Sequence, residues 1–242
     1  MTLLSGRRPV VLLPLLMLAL HAGCTSLPPA RMHLPPALAG ATPHPVAGRQ
    51  GWKVGQELRF ADAHVYDVER GLTKGPDLRI LVYDQSRRRQ IYSFRLADSE
   101  GPAWTGDCEA FVRKQRLTVG VEIELRNASM LGARFASAHD PDVTWEMKLS
   151  EAGETALTGT LARDQLVLHV RGTNRLSGTP LPLDETTGYT IEHEGRILAA
   201  AEVINDGAVW FADDLPADLR GPVTAALSAL LLFEELRSML PE

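Results

Sequence analysis

Few side chains in this sequence have the type and spacing that chemistry needs. Two are cysteines, Cys24 and Cys108. A thiol can be acylated, bind a metal, or attack as a thiolate where its surroundings lower its pKa. If Cys24 is modified, Cys108 has no partner within the chain, so a disulfide framework is excluded. His139-Asp140-Pro141-Asp142 gathers an imidazole and two carboxylates, donor types that suit a cation. The spacing matches no loop site of known form, and a solvated turn is the plainer reading. His193-Glu194-Gly195 reads as a hairpin turn before it reads as an acid–base pair. Arg87-Arg88-Arg89 is expected at a solvated loop tip, with a phosphate or headgroup site as the sharper alternative. His64 and His169 fall in alternating strands as structural residues, and Cys108 reads as a half-buried small hydrophobe. None of GxSxG, SxxK, HExxH, CxxC, GxGxxG or GxxxxGK[ST] occurs. The sequence therefore predicts no catalytic residue, no cofactor and no metal site.

Cys24 is different because of what precedes it. Arg7 and Arg8 begin a basic segment, residues 10–20 (VVLLPLLMLAL) form an apolar run of eleven, and Ala22 and Gly23 lead into the cysteine. Eleven residues suit the core of a secretory signal and fall short of the roughly 20 that span a bilayer. The segment resembles the bacterial lipobox, in which small residues precede an acylated cysteine, with His21 at a place usually held by leucine. The resemblance implies a signal peptide over 1–23, cleavage before Cys24, and attachment to a membrane by acyl chains on that residue. Thr25, in place of aspartate, resembles the lipoproteins sent to the outer membrane. The implied partner is the membrane itself, with a lipid or an envelope protein as a further one.

The elements behind this cysteine fall into two regions. Residues 24–50 hold six prolines and no period, which predicts an extended tether making no core contacts. Residues 51–242 are expected to form a single domain, long enough for one sizeable core. Four arginines and no acid lie in residues 1–50, so the remainder carries 21 basic against 30 acidic residues, a net of −9. That balance excludes nucleic acid as an expected partner.

From residue 57 onward the dominant period is two. Segments such as VTWEMKLS, ALTGTLAR and QLVLHVRG alternate apolar and polar residues, with turn formers between them. About twelve strands are expected, near 57–60, 63–69, 78–83, 90–97, 102–108, 118–126, 130–137, 143–149, 156–162, 165–171, 187–192 and 196–204, with a short return at 208–212. Asn205-Asp206-Gly207 and Asp164 supply residues that tolerate positive φ in tight turns. One helix follows, with Pro222 expected in its first turn and Asp218 or Thr224 as cap. Residues 223–233 (VTAALSALLLF) are apolar or small on every side, which predicts enclosure instead of a wet face. A sheet of so many strands must split or close. The economical solution is a mostly β protein: a closed antiparallel barrel of about twelve strands with the helix in its lumen.

That arrangement resembles the tubby C-terminal-like fold, shared with phospholipid scramblases and plant LURP-one-related proteins. The residues carrying it lie in 187–236: the strand pair YTIEHEGRILAAAEV, a short strand, Pro216-Ala217-Asp218-Leu219, then the apolar helix. The scramblases' cysteine-rich segment and tubby's basic phosphoinositide surface have no counterpart here, so the resemblance implies fold and not activity. The expected function is a membrane-anchored, non-catalytic binding or structural module of the cell envelope. Two alternatives stand beside it. A lipid or lipoprotein carrier would need an open half-barrel and a helix with a polar face, and a hydrolase would need a pocket of converging titratable groups.

Overall fold

In the computed structural model the alternating segments join one antiparallel sheet. The structure describes residues 29–49, 55–71, 77–80, 83–99, 101–119, 121–124, 128–151 and 156–238. The strands are β1 (His44–Pro45), β2 (Leu58–Phe60), β3 (Ala63–Arg70), β4 (Asp77–Ile80), β5 (Tyr83–Asp98), β6 (Gly101–Val119) and β7 (Val121–Glu124). They continue as β8 (Ala128–Ser137), β9 (Thr144–Glu151), β10 (Leu157–Arg163), β11 (Leu166–Thr173), β12 (Gly188–His193), β13 (Arg196–Glu202) and β14 (Ala208–Phe211). The main path runs β1-β14-β13-β12-β11-β10-β9-β8-β6-β5-β3-β2, while β4 pairs with β5 and β7 with β6 beside it. Strand β9 shows why they form: Trp145, Met147 and Leu149 point to the core, and Glu146, Lys148 and Ser150 to solvent. Tight turns join them where the sequence placed polar residues. Asp164, Glu194 and Asn205 take φ of 53°, 50° and 53°, and Gly195 and Gly207 take 79° and 82°.

The expected closed barrel is corrected to a nearly closed one. Among the described residues the backbone seam between the path's two edges lies at Ala47 and Arg59, whose amides bond each other's carbonyls at 2.9 and 3.1 Å. Strand β1 is two residues long and lies against β14 on its other side.

One helix, α1 (Ala217–Ser238), passes along the lumen. It begins earlier than expected. The Leu219 and Arg220 amides bond the Pro216 carbonyl, Pro222 sits inside the helix, and Thr224 donates to the Arg220 carbonyl instead of capping. Every residue from Ala225 to Phe233 is 0 % exposed. No helix among the described residues is long and apolar enough to cross a membrane. The helix enters beside the turns after β2 and β10 and runs toward the opposite end, where β3 and β13 finish. These are called the entry end and the exit end below.

Two sequence expectations change. Strands β5 and β6 pair from Asp98↔Gly101 to Tyr83↔Leu117 with one register shift between Leu96 and Ala97, so Arg87-Arg88-Arg89 lies within a strand and not at a loop tip. Their outer halves carry β4 and β7 past the exit end as a four-stranded extension. Runs of arginine and lysine hide this pairing, because they interrupt the apolar alternation that marks a strand.

The other change concerns the segment read as a tether. The chain divides into two units, Met1–Ala30 and Arg31–Glu242, so the arm from Arg31 belongs with the barrel. Met32 bridges Leu176, the turn Pro36–Leu38 seats Leu38 on the outside of β13, and Val46 joins the main core. Met32, Leu38 and Val46 are 3, 0 and 4 % exposed. Prolines extend the arm without preventing its few large apolar residues from finding sites.

Candidate functional site

Ala225–Phe233 have no exposed surface, and helix and wall are fastened at several points along their length. At the entry end, Gly221 lets the helix pass Trp104; a Cβ there would run into the indole. Arg220 bonds Asp62 at 3.0 Å and stacks 4.3 Å from the Phe211 ring centroid. Burial, the largest influence on the Asp62 carboxyl, raises its pKa, but hydrogen bonds and the Arg220 charge outweigh it and hold it low. Midway, the Tyr92 hydroxyl donates to the Ala229 carbonyl at 2.9 Å. Near the exit end Arg70 reaches the Leu232 carbonyl at 3.3 Å and the Gln56 and Gln90 side-chain oxygens at 3.4 Å. Its guanidinium lies 5.5 Å from the Tyr92 ring centroid.

Cys108 faces this inner wall at 3 % exposure, in contact with Tyr92, and is fully buried where half-burial was expected. Burial pushes its pKa far above the ordinary 9.0, so the thiol stays protonated and inert as a nucleophile. Burial likewise raises Tyr92 well above its ordinary value.

The other residues singled out in the sequence do not come together. Cys24 and the segment 1–23 lie outside the described residues. Of the arginine run, Arg89 is exposed and its Nε bonds Glu109 at 2.7 Å, while the backbone of Arg87 stands opposite Arg113. In the β8–β9 connection, the His139 and Asp140 amides bond the Ser137 hydroxyl and the Asp142 amide bonds Asp140 Oδ1. That is a self-satisfied turn. Among the described residues no group of three histidine, cysteine or acidic side chains could hold a metal ion. His64 Nε2 lies 2.8 Å from Glu57, whose carboxyl His64 and Arg59 hold below its usual pKa. His169 is exposed on β11. A polar recess of about 370 Å³ lies on the outside of β9 and β10, lined by Asp142, Glu146, Lys148, Thr160, Arg163 and Asp164. Lys148 bonds Glu146 at 2.7 Å and Arg163 approaches Asp164 at 3.6 Å, so its charges largely neutralise one another.

The most built polar arrangement is at the exit end, and the sequence reading missed it. Glu202 closes β13 with its side chain 0 % exposed. Its two oxygens accept from Arg31 Nη1 and from the Met32 amide, each at 2.7 Å. The Ser177 amide bonds the Arg31 carbonyl at 2.8 Å, and the His33 amide the Arg175 carbonyl at 2.9 Å. Gly188 leaves the space that Met32 fills, since a Cβ there would meet its sulfur. The hairpin 174–183, closed by Arg175↔Pro182, lies alongside, and it presents Leu181 at 71 % and Leu183 at 38 % exposure. One signal was available. In ILAAAEVI an acid interrupts an apolar run, and a carboxylate buried there demands partners. No family model, no curated protein and no solved structure matches this chain.

Proposed function

We propose that this protein is a lipoprotein of the bacterial cell envelope, acylated on Cys24, whose barrel serves as a non-catalytic binding or structural module. The observation that supports this most is the filled lumen. A carrier needs an internal cavity and a helix able to swing, whereas Ala225–Phe233 is enclosed on every side and bonded to the wall at Ala229 and Leu232. The working surface is then the outside of the barrel and its turns. The basic n-region, short apolar run and small residues before Cys24 support export and acylation, and Thr25 supports delivery to the outer membrane. The tubby-like resemblance of residues 187–236 agrees with a helix-filled barrel and carries no activity with it.

Metabolic labelling with palmitate tests the anchor. Wild type and Cys108→Ser should incorporate label and fractionate with membranes, and Cys24→Ser should do neither. Label retained by Cys24→Ser contradicts the proposal.

A further inference from the structure

We propose that the exit end of the barrel rests on the lipid surface, with Leu181 and Leu183 of the 174–183 hairpin set into the boundary between headgroups and acyl chains. This rests on the reading of Cys24 as the anchor. Three independent features converge on it.

The first is chain length. Glu202 and the 175–177 backbone hold the arm at Arg31, seven residues after Cys24. Seven residues span at most about 25 Å fully extended. An anchor at Cys24 therefore keeps the point where Arg31 is clasped close to the bilayer, and that point is on the exit end.

The second is apolar exposure at the same place. The arm, the 175–177 stretch and Pro182 lie side by side through Met32↔Leu176 and Arg175↔Pro182. At about 4.8 Å per strand, Leu181 and Leu183 sit on the order of 10 Å from the arm. Leu181 is the most exposed large apolar residue described. Leucine presented on a backbone-braced hairpin beside an anchor suits insertion at a membrane interface.

The third is charge. The entry-end connections 61–62, 98–101, 138–143, 164–165, 194–195 and 212–218 contain ten acidic residues and no lysine or arginine. Flanking Arg163, Arg196 and Arg220 pair with three of them. By contrast, segments 77–89 and 111–124, which include the extension at the exit end, hold seven arginines and lysines against four acids, while the exposed acids Asp184 and Glu185 follow the hairpin leucines directly. Anionic headgroups repel the entry end and attract the basic extension of the exit end. The acidic end is thereby left facing outward, where a soluble partner would meet it.

The test places a tryptophan at each end of the full chain in turn. Leu181→Trp reports the exit end, and Val167→Trp, an exposed position on β11 beside the turn 164–165, reports the entry end. The acylated protein is reconstituted into vesicles of phosphatidylethanolamine and phosphatidylglycerol, with and without brominated acyl chains. The expected result is emission from residue 181 shifted to the blue and quenched several-fold more by bromine than that from residue 167. Equal quenching at both positions, or none at 181, overturns the proposal and leaves the hairpin leucines to a protein partner. Mass spectrometry of Cys24 in the same preparation reports separately on acylation. If acyl chains are absent, coupling Cys24 to a maleimide lipid supplies the anchor, Cys108 being buried, and the two tryptophans still decide the orientation.

Discussion

Helix α1 and the arm 31–49 both seal the barrel, one from the lumen and one from outside, yet they reach burial by opposite routes. The helix buries a continuous surface: nine successive residues, Ala225 to Phe233, lose all exposure. Its composition states this outright, because an element apolar on every face has nowhere to go but inside. The arm buries isolated anchors, Met32, Leu38 and Val46, with prolines, Gly40 and exposed residues between them. No period links those anchors, so no pattern announces them. Packing that is continuous along an element is legible in sequence, while packing through scattered contacts depends on the surface that receives it. Here that surface is the outer face of β13 and β14, where Ala200, Ile197, Trp210 and Ala212 pack against Leu34, Leu38 and Ala41.

The largest effect should come from the helix. Leu230, Leu231, Leu232 and Phe233 point in four directions about 100° apart, and all are enclosed. An aspartate at any one buries an unpaired carboxylate at a cost of several kcal/mol. A domain has only about 5–15 kcal/mol of stability in total. Each of the four variants should be unfolded or severely destabilised by circular dichroism and thermal melting. One that melts like wild type would give the helix a wet face and break the comparison.

Removing the arm should come next. A chain starting at Gly51 loses the three apolar anchors, the seam residue Ala47 and both partners of Glu202. A free tether would leave the melting temperature unchanged, whereas the packed arm predicts a drop well above 10 °C, at about 2–4 °C per kcal/mol for this size. The point change Glu202→Ala sharpens this by sparing the arm's apolar contacts. Leaving the Met32 amide without its acceptor, with Arg31 half exposed, should cost about 1–3 kcal/mol, on the order of 5 °C in melting temperature.

The smallest effect concerns pH. Cys108 and Tyr92 have pKa values raised in the fold above 9.0 and 10.0, so both stay protonated there while the unfolded chain ionises. Their contribution is fully present below pH 9 and is lost as pH rises through 9 and then 10, by about 1.4 kcal/mol per unit for each group once ionised in the unfolded chain. Urea titrations between pH 8 and 11 should show this decline. Cys108→Ala should remove the part that begins near pH 9, with a shift of about 1 kcal/mol at neutral pH. Stability that is flat across this range in wild type contradicts the burial of both groups.

The same contrast sorts what the sequence revealed. Strands β8 to β13 and the turns at Asp164, Glu194 and Asn205 follow from alternation and turn chemistry, within a few residues of their observed bounds. Helix α1 follows from its all-round apolarity. The outer halves of β5 and β6 do not, because a strand with basic residues in place of an apolar face carries no alternation to read. Nor does the Arg31–Glu202 clasp, which joins residues 171 apart through a contact that neither end encodes alone. The run Ala199-Ala200-Ala201 was the clearest unused signal. All three are 0 % exposed, as in a strand covered on both faces, and such a strand needs a cover from elsewhere in the chain.

The central claim is that the arm completes the barrel, and the most direct measurement is hydrogen exchange at its seam. The Val46 amide bonds the Gly207 carbonyl at 3.1 Å and the Ala47 amide the Arg59 carbonyl at 2.9 Å. Both amides should exchange as slowly as those of β9 and β10, through global unfolding only. Exchange of Val46 and Ala47 at the rate of an unstructured peptide, with β9 and β10 protected, would show a barrel that stands without its arm.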